Sequence, residues 1–303
     1  MLSVKNIAVF SFALAWFWLP EYSALAQGLE PSKVDIAMTD VDGSALKLPG
    51  FWFLVPTTTE SKSDSKPAPA VVLLHGCGGA YNAKGSLQVR MLDYARLLNS
   101  AGYSALVVDS LTPRGERELC TQGYGTRRVT MRNRRLDALA ALEWLAARSD
   151  VDPKRLALLG WSNGGSTVLA TTNTKNSPTN ASISASKIKP QATPRAAVAF
   201  YPGCQSDLAG GYAATTPVLM LVGAIDDWTP PEPCKALADI TPSLRLQTFP
   251  DAYHGFDGTA AVRLRADVPN GVNPGKGVHV GGNAAAREAS QKAMLAFFAE
   301  QLQ

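Results

Sequence analysis

Short apolar runs alternate with longer segments of helical periodicity along most of the chain. Buried β-strands are predicted for seven runs bounded by turn residues, at 51–55, 70–74, 103–109, 155–161, 195–201, 217–223 and 244–249. Apolar residues recur at helical spacing in 87–101, 129–147 and 284–302. Because strands alternate with helices, we predict an α/β fold with a mostly parallel central sheet and helices on both faces. In such folds the active site lies in loops beyond the carboxyl ends of the strands.

The predicted helix 129–147 has two chemically different faces. Its apolar positions are Leu136, Leu139, Leu142, Trp144 and Leu145. Opposite them is a basic cluster made of Arg127, Arg128, Arg132, Arg134 and Arg135. We interpret the apolar positions as the core-facing side and the basic cluster as a solvated surface.

Two stretches interrupt the alternation within what we predict to be one domain, residues 27–303. Residues 172–194 are rich in Ser, Thr, Asn, Lys and Pro, and we interpret them as a solvated insertion. Residues 260–282 are rich in Gly, Pro and Val and begin shortly after a histidine at position 254. Whether this second insertion covers the active site as a lid stays open.

The N-terminal segment has the layout of a secretory signal peptide. Lys5 precedes an apolar run of 13 residues, 7–19, and Ala24 and Ala26 stand at the small-residue positions of a cleavage site. A membrane-spanning helix requires roughly 18 apolar residues or more, so this run is too short for one. We predict that residues 1–26 are removed and that the mature protein is periplasmic or secreted, without stable membrane association. An uncleaved anchor is the alternative.

Four cysteines take on a specific meaning in an exported chain, because disulfides form in oxidising compartments. Cys77, Cys120, Cys204 and Cys234 allow three pairings. We favour Cys77 with Cys120 and Cys204 with Cys234, since each pair falls on loops after strands at the same edge of the predicted sheet. Buried free thiols are the alternative. No two cysteines or histidines have the spacing of metal ligands, so no metal is predicted.

Composition and charge narrow the classes of function. The 303 residues are 46% hydrophobic and 18% charged, which excludes disordered, fibrous and polytopic membrane proteins. The net charge of +4 is not gathered into a strongly basic face, so we predict no nucleic-acid partner. A small-molecule substrate is expected, and the oligomeric state stays open.

Residues 158–165 have the pattern of a serine nucleophile on a sharp turn. An apolar strand runs into Gly160-Trp161-Ser162-Asn163-Gly164 and then into a predicted helix. The flanking glycines allow a strained turn that exposes the serine hydroxyl at the edge of the sheet. Ser162 is therefore the predicted nucleophile.

A serine nucleophile needs a histidine base and a carboxylate that orients it, and in this type of fold they follow in the order serine, acid, histidine. His75 precedes the serine and is excluded by that order. His254 follows the predicted last strand and is favoured over His279, which lies within the second insertion. Asp226 follows the intervening strand and is the predicted acid, with Asp227 as the alternative.

The oxyanion that forms on an attacked carbonyl needs two backbone amides. Asn163 directly follows the nucleophile and should supply one of them. The other is expected from the glycine-rich loop 75–79, at Cys77 or, as the alternative, at Gly78.

These motifs resemble those of α/β-hydrolases, and within them of the dienelactone hydrolase family. The likeness spans residues 70–257 and rests on the segments 75–79, 108–110 with 113–115, 160–165, 223–228 and 253–257. Family members proper use a cysteine nucleophile and carry an acidic residue where His75-Gly76 stands here, so their enol-lactone substrate is not implied. By resemblance, Arg114 matches an arginine that holds a substrate carboxylate. The alternative is an arginine that bonds loop carbonyls or Asp109.

Aromatic residues near these motifs are candidates for substrate contact. They are Trp161, Trp228 and Tyr124, although aromatic side chains at such positions also serve packing. The function predicted is hydrolysis of carboxylic esters or lactones through an acyl-enzyme, without a cofactor. A peptidase or an acyltransferase on the same scaffold, or a non-catalytic binding protein, are the competing interpretations.

Overall fold

A computed structural model describes residues 30–55, 66–176, 192–214 and 216–303. The predicted signal peptide, residues 1–26, lies outside the described residues. Most of the predicted insertion 172–194 lies outside them as well, from 177 to 191. Among the described helices, none is both long enough and apolar enough to cross a bilayer.

An eight-stranded sheet forms the centre of the fold, in the order β1-β2-β4-β3-β5-β6-β7-β8. The strands are β1 Ser32–Thr39, β2 Ala45–Phe53, β3 Ala68–Leu74, β4 Ser104–Val108, β5 Val151–Trp161, β6 Ala196–Phe200, β7 Val218–Gly223 and β8 Leu244–Phe249. β2 pairs antiparallel with β1 and β4, and the pairs from β4 to β8 are parallel. The predicted mostly parallel sheet and its seven strands are confirmed. β1 was not predicted, because Ile36 is its one buried residue.

Helices cover both faces of the sheet, as predicted. They are α1 Val89–Ser100, α2 Met131–Ala146, α3 Asn163–Thr172, α4 Gln205–Gly210, α5 Glu232–Asp239 and α6 Ala284–Gln301, with short 3-10 turns at Thr112–Arg114, Tyr124–Thr126 and Thr174–Asn176. Side chains alternate between the two faces along each strand. Val71 and Leu73 pack in the core with α1 and α6, whereas Val72 and Leu74 pack in the core with α2, α3 and α5.

The predicted division of α2 into an apolar and a solvated face is wrong at Arg134. This side chain is 1% exposed, whereas Leu136 and Leu139 of the predicted apolar face are only partly buried. Its guanidinium donates to the carbonyl of His75 at 2.7 Å and to Asn163 Oδ1 at 2.5 Å. The beginning of α2 meets polar loops at the carboxyl edge of the sheet, so a cation finds acceptors there that periodicity cannot reveal.

Residues 260–282 contribute a second, two-stranded sheet. β9 Arg263–Arg265 pairs antiparallel with β10 Val278–Val280. Val280 also forms an isolated parallel bridge with His254. The insertion is therefore attached to the loop that follows β8.

Both predicted disulfides are present. Cys77 is bonded to Cys120 and Cys204 to Cys234, so the alternative of free thiols is wrong. The first bond ties the loop after β3 to the loop that follows β4. The second ties the residue that caps α4 to the first turn of α5.

Candidate active site

Ser162 lies on a strained turn between β5 and α3. Its φ of 53° is positive, a conformation that non-glycine residues rarely adopt. A side chain at Gly164 would place its Cβ 1.9 Å from the carbonyl oxygen of Leu74, and one at Gly160 would place it 2.2 Å from the carbonyl oxygen of Gly164. Only glycine fits these two positions, and the turn that presents Ser162 depends on both.

Asp226 and His254 form a buried pair at the carboxyl ends of β7 and β8. His254 Nδ1 lies 2.8 Å from Asp226 Oδ2. The other oxygen, Oδ1, accepts the backbone amides of Trp228 at 2.8 Å and Thr229 at 2.9 Å. The Thr229 hydroxyl donates to Oδ2 at 3.0 Å. The carboxylate is thus fixed by three further donors while it accepts the Nδ1 proton of the imidazole.

The second ring nitrogen of His254 is available for chemistry. With Nδ1–H donated to the carboxylate, Nε2 is the acceptor of the neutral ring. This atom is buried and has no hydrogen-bond partner in the part of the chain that the structure describes. Ser162 and His254 line the same cavity, of about 480 Å³. The imidazole of His254 can therefore accept a proton from a group bound in that cavity.

Two aromatic rings hold the imidazole in place. The ring centroids of Tyr201 and Trp228 lie 4.5 and 4.6 Å from that of His254. Tyr201 is itself fixed by a hydrogen bond from its hydroxyl to Asp257 Oδ1 at 2.7 Å, and Arg90 Nε donates to the other oxygen of Asp257 at 3.1 Å. The sequence reasoning missed Tyr201. Its position directly after β6, at the carboxyl edge of the sheet, is the signal that could have identified it.

The predicted oxyanion amides lie in the two chain segments next to Ser162. Outside helices and strands, no backbone hydrogen bond among the described residues is donated by the amide of Asn163, at the start of α3, or by the amides of Cys77 and its alternative Gly78. A Cβ at Gly76 would lie 3.6 Å from Ser162 Cβ, so the loop that carries Cys77 passes against the serine. The Cys77 carbonyl accepts the amide of Leu119 at 2.7 Å. Backbone amides in these segments can donate hydrogen bonds to an oxyanion that forms next to Ser162.

His75 has a structural place behind this loop. The Ser110 amide donates to its Nε2 at 3.2 Å, so its Nδ1 carries the proton and donates to the Gly76 carbonyl at 2.7 Å. Burial, together with the nearby charge of Arg134, holds the pKa of His75 well below 6.5. Burial also lowers the pKa of Arg134 to about 10. His75 is therefore a neutral support of the loop, in line with its exclusion as the base.

The remaining candidates for acid and base pair with each other. His279 Nδ1 lies 2.7 Å from Asp227 Oδ2, and the His279 amide donates to Asp227 Oδ1 at 2.8 Å. Asp226 and Asp227 are consecutive, yet each binds a different histidine. The structure thus brings Asp226, not Asp227, to His254.

The walls of the cavity come from several parts of the chain. Trp161 and Trp228 line it, and Trp161 is buried with only 1% of its surface exposed. The insertion contributes seven of the lining residues, which are Ala260, Ala261, Arg263, Arg265, Val280, Gly281 and Gly282. The insertion therefore shapes the space in front of Ser162.

Comparison with known proteins identifies the family of this chain. The profile of the dienelactone hydrolase family matches residues 56–302, most of the chain. The chain belongs to the dienelactone hydrolase family.

Two curated relatives match over part of this family member. YtaP of Bacillus subtilis, whose name assigns it provisionally to the hydrolases, is 31% identical over 147 residues, 45% of this chain and 47% of YtaP. The uncharacterized protein Rv2307c of Mycobacterium tuberculosis is 30% identical over 141 residues, 46% of this chain and 41% of the relative. The match spans about half the length of these relatives or less.

Solved structures share the fold of this dienelactone hydrolase family member. The dienelactone hydrolase-like promiscuous phosphotriesterase P91, from metagenomic libraries, has a TM-score of 0.58 at 22% identity, over 90% of this chain and 100% of P91. Thermogutta terrifontis esterase 2 has a TM-score of 0.57 at 16% identity, over 92% of this chain and 97% of the esterase. A puromycin-hydrolyzing peptidase of Mycobacterium tuberculosis has a TM-score of 0.58 at 18% identity, over 91% of this chain and 40% of the peptidase. At these identities the likeness shows the fold alone.

The family resemblance was misleading at Arg114. Its guanidinium donates to both oxygens of Asp40 and of Asp137, at 2.7 to 3.0 Å, and to the Ser110 carbonyl at 2.7 Å. Every N–H group of Arg114 is thus engaged, and the side chain does not reach the cavity lining. Arg114 therefore has the structural role named as the alternative, since it bonds a loop carbonyl. Its carboxylate partners are Asp40 and Asp137 and not Asp109.

Tyr124 was also predicted to border the pocket, and this is wrong. The side chain is 64% exposed, and the Arg127 guanidinium lies 4.6 Å from its ring centroid. It does not belong to the residues that line the cavity. Tyr124 lies on a short 3-10 turn, which the sequence pattern did not predict.

Proposed function

We propose that the chain is an exported serine hydrolase that cleaves carboxylic esters or lactones. Ser162 is the nucleophile, His254 is the base, and Asp226 orients and stabilises the imidazole. One observation carries this proposal: the Nδ1 proton of His254 is held by Asp226, Nε2 is buried without a hydrogen-bond partner among the described residues, and His254 lines the same cavity as Ser162.

The first half of the reaction forms an acyl-enzyme. His254 Nε2 takes the proton of the Ser162 hydroxyl while Oγ bonds to the carbonyl carbon of the substrate. The resulting imidazolium is stabilised by Asp226, whose carboxylate accepts hydrogen bonds from the Trp228 and Thr229 amides. The carbonyl oxygen takes up the negative charge. The amides of Asn163 and Cys77 stabilise this oxyanion by donating hydrogen bonds to it. Loss of one such donor costs about 3 kcal/mol in known hydrolases.

The first half ends when the carbon–oxygen bond to the leaving group breaks and the proton on His254 Nε2 passes to the leaving alkoxide, so that the acyl group stays on Ser162 Oγ. In a lactone the alcohol stays attached to the acyl group. In the second half water attacks the acyl-enzyme, and His254 accepts the proton of the water. This proton returns to Ser162 Oγ as the acid departs.

Export is supported by two features. The chain carries two disulfides, which persist in oxidising compartments. Residues 1–26 have the composition of a cleavable secretory signal. Purification of the protein from a periplasmic extract, followed by N-terminal sequencing that starts at Gln27, would support export. Intact residues 1–26 on protein in the cytoplasm would contradict it.

The substrate class is tested with a panel of activated esters, lactones and peptide anilides. We expect turnover of 4-nitrophenyl esters of short acids and of simple lactones, loss of that turnover in Ser162→Ala, and a fluorophosphonate adduct that mass spectrometry locates on Ser162. Turnover confined to peptide anilides would favour a peptidase. Unchanged ester turnover by Ser162→Ala would refute the proposed nucleophile.

A further inference from the structure

Beyond the triad, His279 contacts the immediate neighbours of two of its members. Its side chain is bonded to Asp227, the residue after Asp226, and its ring centroid lies 5.0 Å from that of Tyr253, the residue before His254. Asp226 and His254 follow different strands, β7 and β8. The side chain of His279 therefore joins the acid loop to the base loop.

The backbone around His279 adds to this connection. Val280 forms a bridge with His254, and the Gly281 amide donates to the His254 carbonyl at 3.1 Å. On the other side, the Asp227 carbonyl accepts the amide of Val272 at 2.9 Å. Segment 272–281 thus bonds to the backbone of the base and to the residue beside the acid.

We propose that His279 is a positioning residue, which fixes the distance between Asp226 and His254 by clamping their loops through Asp227. This inference rests on the proposed function, since it concerns the same base. A shift of about 1 Å in a reacting group can cost about a hundredfold in rate. The clamp acts on the imidazole and on the cavity wall that the same hairpin forms, without itself touching the reacting atoms.

Three substitutions at position 279 separate this role from simple packing. His279→Ala removes the side-chain bond and leaves the backbone bond to Asp227 in place. In His279→Asn the amide nitrogen occupies the position of Nδ1 and can donate to Asp227. His279→Gln is similar in size but places its amide one bond farther out.

The measurements are kcat and KM on a 4-nitrophenyl ester, well below the unfolding temperature of each variant. We expect kcat to fall about tenfold in His279→Ala and His279→Gln, and to stay within about twofold of the wild-type value in His279→Asn. Asp227→Ala removes two bonds and should lower kcat further. The Asp227→Ala/His279→Ala double variant should be no slower than Asp227→Ala alone, because both act through one contact.

A second readout does not depend on ester turnover. In the wild-type protein the His254 Nδ1 proton, bonded to Asp226, should give a downfield proton NMR signal, and His279→Ala should shift or broaden it. Wild-type kcat and an unchanged signal in His279→Ala would overturn the inference, whatever its unfolding temperature. Equal kcat in His279→Asn and His279→Gln would overturn it too, and this pair decides if His279→Ala does not fold. If Ser162→Ala retained activity while this signal still responded, the proposed function would fail and the clamp would stand.

Discussion

Arg134 Nη1 lies 2.5 Å from Asn163 Oδ1, so a buried guanidinium is bonded to the residue that directly follows Ser162. The same guanidinium donates to the carbonyl of His75, two residues before Cys77. One cation from α2 therefore holds both chain segments that carry the proposed oxyanion amides.

Replacing Arg134 should lower kcat more than it changes KM. In Arg134→Gln we expect kcat to fall about tenfold, because both amides lose their common support. We expect the free energy of unfolding to fall by about 2 kcal/mol, the usual worth of hydrogen bonds from a charged group. Steady-state kinetics and urea unfolding measure the two effects. Arg132→Gln, on the exposed side of the same helix, is the control, and an equal kcat in both variants would contradict the prediction.

The carboxylate of Asp226 sets which nitrogen of His254 carries the proton. Asp226→Asn would present an N–H group to Nδ1 and force the proton to Nε2, so that the ring could no longer accept the proton of Ser162. We expect kcat to fall by about four orders of magnitude. Asp227→Asn, one residue away, should cost about tenfold or less. If both substitutions had the same effect on kcat, the assignment of the acid would be wrong.

His75 should make the stability of the protein depend on pH. Its pKa is held well below 6.5 in the folded state, so the unfolded state binds a proton first as the pH falls. The stability that the neutral ring contributes is fully present above pH 6.5, and is lost by up to about 1.4 kcal/mol per pH unit below it. Urea unfolding at pH 7, 6 and 5 measures this slope. His75→Asn, which cannot titrate, should give a flatter slope, and an unchanged slope would count against a buried neutral imidazole.

The two disulfides should differ in their effect on activity. They close loops of similar sequence separation, 43 residues for Cys77–Cys120 and 30 for Cys204–Cys234, so each should stabilise the chain by about 3 to 4 kcal/mol. Only the first holds the loop of a proposed oxyanion amide. Cys77→Ser/Cys120→Ser should therefore lower kcat well below the unfolding temperature, whereas Cys204→Ser/Cys234→Ser should leave kcat close to wild type. Equal losses in both double variants would exclude a local effect on the site.

Much of the scaffold was predictable because it depends on short-range patterns. The inner strands are continuous apolar runs, and the turn at Ser162 has glycines that sterics require. The edge strand β1 was missed because it buries little more than Ile36. Periodicity detects a strand only where one face or both faces are apolar.

Several features of the site depend on contacts that sequence order does not encode. Chain order placed an aspartate and a histidine after the correct strands, but the separate pairing of Asp227 with His279 needed coordinates. The burial of Arg134 and the locking of Arg114 by Asp40 have the same origin, since a cation enters the interior only where distant acceptors meet it.

The bridge between Val280 and His254 has a consequence for engineering. Residues of the segment 260–282 line the cavity, so a graft from a relative at this position would alter the shape of the cavity. The last strand of the segment is nevertheless joined to the backbone of His254, the proposed base, so a graft should change reactivity along with selectivity. A transplant at this position must keep the histidine that meets Asp227, or bring its own equivalent pair.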